Sequence, residues 1–201
     1  MSVGIVIGTF GEREWANRAY RAIESIKRQT VPPDDWVHIH AETLHEARNY
    51  GAWSLNKTHT IFLDADDELD EHYVEAMLKG TGDIRRPSTI GIVDGVEDDA
   101  PVLIPERPLI DGNYIVIGAM VDTEAFLRSG GFRDEPVLED WSLWIRMVLG
   151  GARVEAVPEA IYRVHVRSDG RNVRDPELHG QWYRKLRDEF APRWRERARR
   201  R

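Results

Sequence analysis

The sequence contains no cysteine. That excludes disulfides, thiolate zinc sites and thiol nucleophiles, and it leaves the redox compartment open. No apolar run approaches the roughly 18 residues that a membrane-spanning helix requires. The first residues, MSVGIVIGTF, lack the basic start of a secretory leader and end in a turn signal, so they read as part of the fold. There is no internal repeat and no low-complexity linker. Net positive charge is missing too: 28 Lys and Arg stand against 35 Asp and Glu, a balance of −7. An acidic body does not suit broad nucleic-acid binding. What remains is a single soluble, globular domain, with a cytoplasmic location as the default expectation.

The charge is unevenly spread. From Arg171 to Arg201, eleven Lys and Arg face five Asp and Glu, which is +6 and leaves −13 for residues 1–170. The expected division is a catalytic-size domain over 1–175 and a basic C-terminal helix over 176–201. That helix reads as a solvated face that could also meet an anionic membrane surface.

The apolar pattern predicts an α/β order. VGIVIGTF (3–10) is short, β-branched and ends at Gly11, as a buried parallel strand does. Residues 14–28 follow a helical period through Trp15, Ala19, Ala22, Ile23 and Ile26, and the prolines of TVPPDD stop it. WVHIHA (36–41), LHEARNYGAWSLNK (44–57) and HTIFLD (59–64) continue as strand, helix, strand. This is the βαβ signature of a mostly parallel sheet with helices on both faces. Downstream, the expectations are a short helix in DELDEHYVEAMLKG and two strands around the Asp94-Gly95 turn. A strand over 113–122, a helix in TEAFLRSGGF and a periodic helix over 138–151 follow. A strand in ARVEAVP and a terminal helix that breaks near Pro192 complete the order.

One loop stands out. In HTIFLDADDELDEHYVEAM an apolar strand ends in Asp64, Asp66, Asp67 and Glu68. Carboxylates this close repel and raise one another's pKa unless a cation sits among them. In open α/β sheets, ligands bind at the carboxyl ends of the strands. Hard oxygens there suit Mg²⁺ or Mn²⁺, held by one or two carboxylates together with substrate phosphates. Two other readings stand beside this one. Acids favour helix starts. An EF-hand frame would place Asp64, Asp66, Glu68 and Glu75 as ligands, but Leu69 occupies its obligatory glycine position and a strand precedes the loop.

Four segments in order extend the reading: SIKRQTVPPDDW, EARNYGAWSLNKTHTIFLDADDEL, GAMVDTEAFLRSGGF and LEDWSLWIRMVLGGARVEAVPEAIYRVH. Together they resemble the family 2 glycosyltransferases of the GT-A fold, from about residue 3 to about residue 168. The resemblance implies a nucleotide-binding α/β domain and an inverting sugar transfer from a nucleotide-diphosphate sugar to an acceptor hydroxyl. It implies that Asp64 and Asp66, with Asp67, form the D-x-D element. Asp66 is then the main ligand of Mn²⁺ or Mg²⁺, and Asp64 lies toward the ribose or a metal-bound water. Glu139 and Asp140 match the E-D element, with Asp140 the candidate base. Thr9, Phe10 and Glu12 lie where the nucleotide base is held, and Arg48 lies near the nucleotide. His165 lies near the diphosphate or metal. Trp141 reads mainly as core, with an acceptor sugar as the other use of its ring. His38 and His40 read as structural.

The chain departs from that family at two places. Glu42 alone stands where paired aspartates and a Gly-Ser turn usually follow the second strand. Gly11-Glu12 replaces the usual Asn-Arg after the first. Segment 80–112 matches nothing in the family, so the acceptor is unread. Two rival functions differ in chemistry. A nucleotidyltransferase would need a Gly-rich basic loop after the first strand, which GTFGEREW serves poorly. A catalytically silent binding module would not require Asp66 and Asp140.

Overall fold

The computed structural model describes residues 1–12, 17–166 and 175–199. Strand β1 (Val3–Phe10), helix α1 (Tyr20–Lys27), β2 (Asp35–Ala41), α2 (Leu44–Leu55) and β3 (His59–Asp64) follow the expected order. Trp15 lies outside the described residues. β1 pairs in parallel with both β2 and β3 and is buried except at Phe10. Helix α2 starts at a capping box, in which Thr43 accepts from the Glu46 amide and Glu46 reaches back to the Thr43 amide.

Past β3 the sheet is mixed rather than mostly parallel. Short β4 (Glu68–Leu69) pairs antiparallel with β8 (Val154–Val166), which runs parallel to β5 (Ile84–Val93). β7 (Met120–Asp122) joins the two halves, antiparallel to both β3 and β5. The strand order is β2-β1-β3-β7-β5-β8-β4, with β6 (Val96–Glu97) beside β5. Asp94 and Gly95 form the expected tight turn between β5 and β6, both at positive φ. Helices α3 (Tyr73–Lys79), α4 (Thr123–Arg128), α5 (Glu139–Leu149) and α6 (Pro176–Arg199) complete the fold. No helix among the described residues is long and apolar enough to cross a membrane.

Four expectations change. The helix at DELDEHYVEAMLKG begins only at Tyr73, because Glu68 and Leu69 pair with Arg163 and Tyr162 of β8. The strand at ARVEAVP continues to Val166, passing Pro158 within a register shift against β5 that falls between Val157 and Ile161. The strand over 113–122 is real only at 120–122. Residues 113–119 spend their carbonyls on side chains instead: Ile115 O accepts from Trp144 Nε1 (2.9 Å) and Gly118 O from the Tyr73 hydroxyl (2.7 Å). Finally, α6 runs unbroken through Pro192. The proline is exposed, while Leu186 and Phe190 before it are buried in the same core as the sheet and Trp194 after it packs on that core. Packing on both flanks overrides the lost backbone bond. The basic helix is therefore seated on the domain core.

Gly118 shows how tight that core is. A Cβ there would lie 2.1 Å from Cδ2 of Tyr162, itself fully buried. Overpacking commonly costs about 1–3 kcal/mol. With ring atoms on a central strand unable to retreat, Gly118→Ala should sit at or above about 3 kcal/mol on that scale, read as a shifted midpoint in urea unfolding.

Candidate functional site

The carboxylate loop forms where β3 ends. Asp64 is the last residue of β3, and the Asp67 amide donates to Asp64 O (3.1 Å), closing a turn that gathers the acids. Asp67 is buried and its carboxyl is pushed well above the usual carboxylate range, by burial first and by the Asp64 and Asp66 charges next. Hydrogen bonds from the His165 amide (2.8 Å) and the Tyr162 hydroxyl oppose that shift. The Asp64 amide in turn donates to the Tyr162 oxygen (3.2 Å).

Arg48 joins this loop to the start of α5. Its guanidinium is 2% exposed and donates to Asp64 (2.5 Å) and to Glu139 (3.0 Å). It lies 4.9 Å over the Phe132 ring. Two local features put it there. Gly8 on β1 leaves room for its stem, since a Cβ would sit 2.9 Å from Arg48 Cγ. Asn49, its neighbour, holds the Phe132 backbone at both ends of its side-chain amide, Nδ2 donating to Phe132 O and Oδ1 accepting from the Phe132 amide (2.9 Å each), which docks the Gly-Gly-Phe segment on α2. Arg48, expected near the nucleotide, thus has its terminal nitrogens on protein carboxylates.

Asp140 sits in the first turn of α5, preceded by Leu138 in the left-handed region (φ 61°). A leucine in that conformation stores strain, and such strain concentrates at functional sites. Asp140 Oδ2 accepts from Asn113 Nδ2 (2.8 Å) and Oδ1 from the Trp141 amide (2.7 Å). Burial, and then the charge of Glu139, push its carboxyl up to about 7. Arg48, Asp64, Asp67, Asn113, Glu139 and Asp140 line one cleft of about 250 Å³. A carboxyl with its pKa raised thus faces the carboxylate loop across a small polar cavity.

The other expected residues fall as follows. Thr9 is buried at the end of β1, its hydroxyl between His38 Nε2 (3.0 Å) and His40 Nδ1 (3.1 Å). Burial, with the neighbouring His40 charge, holds His38 below the ordinary histidine range. Phe10 is 38% exposed, and Glu12 and Glu42 are exposed just past the ends of β1 and β2. Arg21 can only donate, so His165 Nδ1 accepts from it (3.2 Å) and Nε2–H goes to Glu68 (2.9 Å). Trp141 offers no acceptor platform. It is 1% exposed, its Nε1 donates to Leu109 O (2.6 Å), and its face is stacked on Tyr183 of α6 at 5.0 Å. Sequence reading missed Asn113, Tyr162 and the left-handed Leu138. Asn113 lies in the segment expected as strand, and nothing local marked it.

Among the described residues, no group of three or more His, Cys, Asp or Glu side chains is gathered closely enough to hold a metal ion unaided. The donor set still fits a hard divalent cation in part. Asp66 and Asp67 supply carboxylate oxygens, and the repulsion around Asp67 is what such an ion would relieve. The remaining ligands would have to come from a bound diphosphate and water.

No protein-family model matches the chain, and no curated protein matches it. Solved structures do. The chain is similar to S. aureus TarS 1-349 in complex with UDP-GlcNAc, at a TM-score of 0.65 and 14% identity over 85% of this chain and 60% of that one. With the UDP complex the TM-score is 0.62 at 14% identity, covering 84% and 61%. Against the longer TarS chain it is 0.62 at 13% identity, covering 84% and 37%. The chain thus spans about three-fifths of TarS 1-349 and shares its fold over that length.

Proposed function

We propose that the chain is a metal-dependent, inverting glycosyltransferase of the GT-A type, which moves a sugar from a nucleotide-diphosphate sugar to an acceptor hydroxyl. The observation that carries this reading is the single cleft in which Asp140 faces the carboxylate loop, tied together by Arg48. The likeness to a protein that holds UDP and UDP-GlcNAc supports a nucleotide-sugar donor. In this reading the exposed ends of β1 and β2, with Phe10, Glu12 and Glu42 around Thr9, receive the nucleoside.

Asp66 and Asp67 are the protein groups that would hold Mn²⁺ or Mg²⁺. His165 would join them only by giving up Glu68 or Arg21. When bound, the ion supplies positive charge beside the departing diphosphate. Asp140 takes the proton of the acceptor hydroxyl. That oxygen bonds to the anomeric carbon as the bond to the diphosphate breaks, on the opposite face, so the configuration inverts. Asn113 and the Trp141 amide hold the carboxylate in place. Glu139, bound to Arg48, keeps the start of α5 in register with the loop.

Titration calorimetry with UDP tests the donor half. Binding should be tight with Mn²⁺ or Mg²⁺ and weak in chelator. At a hundredfold excess over Kd the ligand should raise stability by about 2.7 kcal/mol. Asp66→Ala should bind UDP weakly whether or not metal is added. Equal affinity with and without metal in the unaltered protein would remove the ion from the proposal.

A further inference from the structure

A second polar cavity, of about 480 Å³, lies at the other end of α5 and shares no lining residue with the cleft. Four arginines line it: Arg128, Arg133, Arg146 and Arg193, with Asp83 the one acid among the lining residues. Arg146 is the unusual member. It is only 6% exposed, and its Nη1 donates to Ser129 O (2.6 Å), yet its Nε and Nη2 have no hydrogen-bond partner among the described residues. Those two nitrogens form one edge of the guanidinium, the edge that grips an oxyanion with two parallel bonds. Leaving such donors buried and unmatched is costly, more so for a charged group.

The nearby acids do not satisfy it. Glu124 pairs with Arg128, and Glu189 with Arg133. Asp83 accepts from the Arg153 amide (2.7 Å). Glu135 accepts from the Ser142 hydroxyl (2.9 Å), and its other oxygen is also without a partner, yet it makes no ion pair with Arg146. Burial first and the Arg133 charge next lower the Arg146 pKa to about 10, against the opposing pull of the Glu135 and Glu189 charges.

We propose that this cavity is an anion site that takes a phosphate group, gripped by the Nε–Nη2 edge of Arg146 once that buried edge turns toward the cavity, and flanked by Arg128, Arg133 and Arg193. The phosphate can belong to a soluble compound or to a lipid headgroup, and the position of Arg193 on the basic helix α6 is compatible with either. The inference does not depend on the glycosyltransferase reading.

The test titrates the full chain with inorganic phosphate and pyrophosphate at fixed ionic strength, without divalent metal. It uses calorimetry and thermal unfolding. Saturable binding with a rise in unfolding temperature is expected. Arg146→Lys keeps the charge but loses the two-bond edge, and should abolish the effect. Should that variant not fold, the double variant Arg128→Ala/Arg193→Ala changes only exposed side chains and should weaken binding about tenfold or more. A parallel arm uses phosphatidic acid vesicles against phosphatidylcholine vesicles. Binding to the acidic vesicles alone, lost in the same variants, assigns the phosphate to a lipid headgroup. No saturable signal in either arm, or unchanged affinity in the double variant, overturns the proposal.

Discussion

Replacing Asp140 with asparagine is expected to lower sugar transfer by about 10²–10⁴-fold, the usual contribution of a general base. Affinity for the donor and metal should stay the same. Asparagine keeps the size and can accept from the Trp141 amide through its one oxygen, but its amide nitrogen replaces the oxygen that accepts from Asn113. It cannot take a proton. The pH profile gives an independent signature. With its carboxyl pushed up to about 7, Asp140 is an effective base only as pH rises through that value. The kcat/KM for sugar transfer by the unaltered protein should therefore climb through neutrality, and that limb should be missing in the variant. Stability should move the other way. A carboxylic acid whose folded pKa is raised favours the fold while protonated, and that advantage is lost as pH rises from about 4 to about 7. Asp140→Asn should accordingly unfold at a higher temperature than the parent above pH 7. Turnover within a few-fold of the parent would place the base elsewhere, with Glu139 the next candidate.

Arg48→Met should be the most destabilising change at the site, by about 3–5 kcal/mol, the cost of leaving buried charges without their partner. The guanidinium is fully buried between Asp64 and Glu139, and both carboxylates raise its pKa against the effect of burial. Removing it takes from Asp64 and Glu139, with Asp67 beside them, the cation that both carboxylates bond to. A loss of that size is a large part of the roughly 5–15 kcal/mol by which a domain is stable. Arg48→Lys should recover little, because an ammonium cannot bond two carboxylates in the plane of a fork. The cause can be separated from lost packing on Phe132. Adding Glu139→Gln to Arg48→Met removes one unpaired charge and should restore part of the stability in urea unfolding. If the double variant is as unstable as the sum of the singles, repulsion is not the reason.

The N-terminal half of this fold was legible because its signals are local. The β-branched runs of β1 and β3 and the prolines after α1 each act within a few residues. The carboxylate loop stood out for the same reason, whereas the Glu139-Asp140 pair was marked only by the family resemblance. What could not be read depends on partners far along the chain. Residues 113–119 carry a strand-like apolar pattern, but Tyr73, Trp144 and Tyr162 claim their backbone. Trp141 looked available to a sugar until Tyr183, from α6, covered its face. Pro192 signals a break that Phe190 and Trp194, packed on the core, override. Arg48 was marked by the resemblance as lying near the nucleotide, but its two carboxylates lie 16 and 91 residues away, so its place as a buried bridge had no sequence signature.

The central claim is that a nucleoside diphosphate sits in the cleft between the carboxylate loop and Asp140. A crystal structure of the chain grown with UDP and Mn²⁺ tests it most directly. The account predicts the diphosphate over Asp66 and Asp67 with the ion among their oxygens, the uridine near Thr9 and Phe10, and Asp140 facing the far side of the diphosphate across the cleft. Nucleotide density confined to the arginine-lined cavity at the other end of α5, with the cleft occupied by water alone, would contradict it.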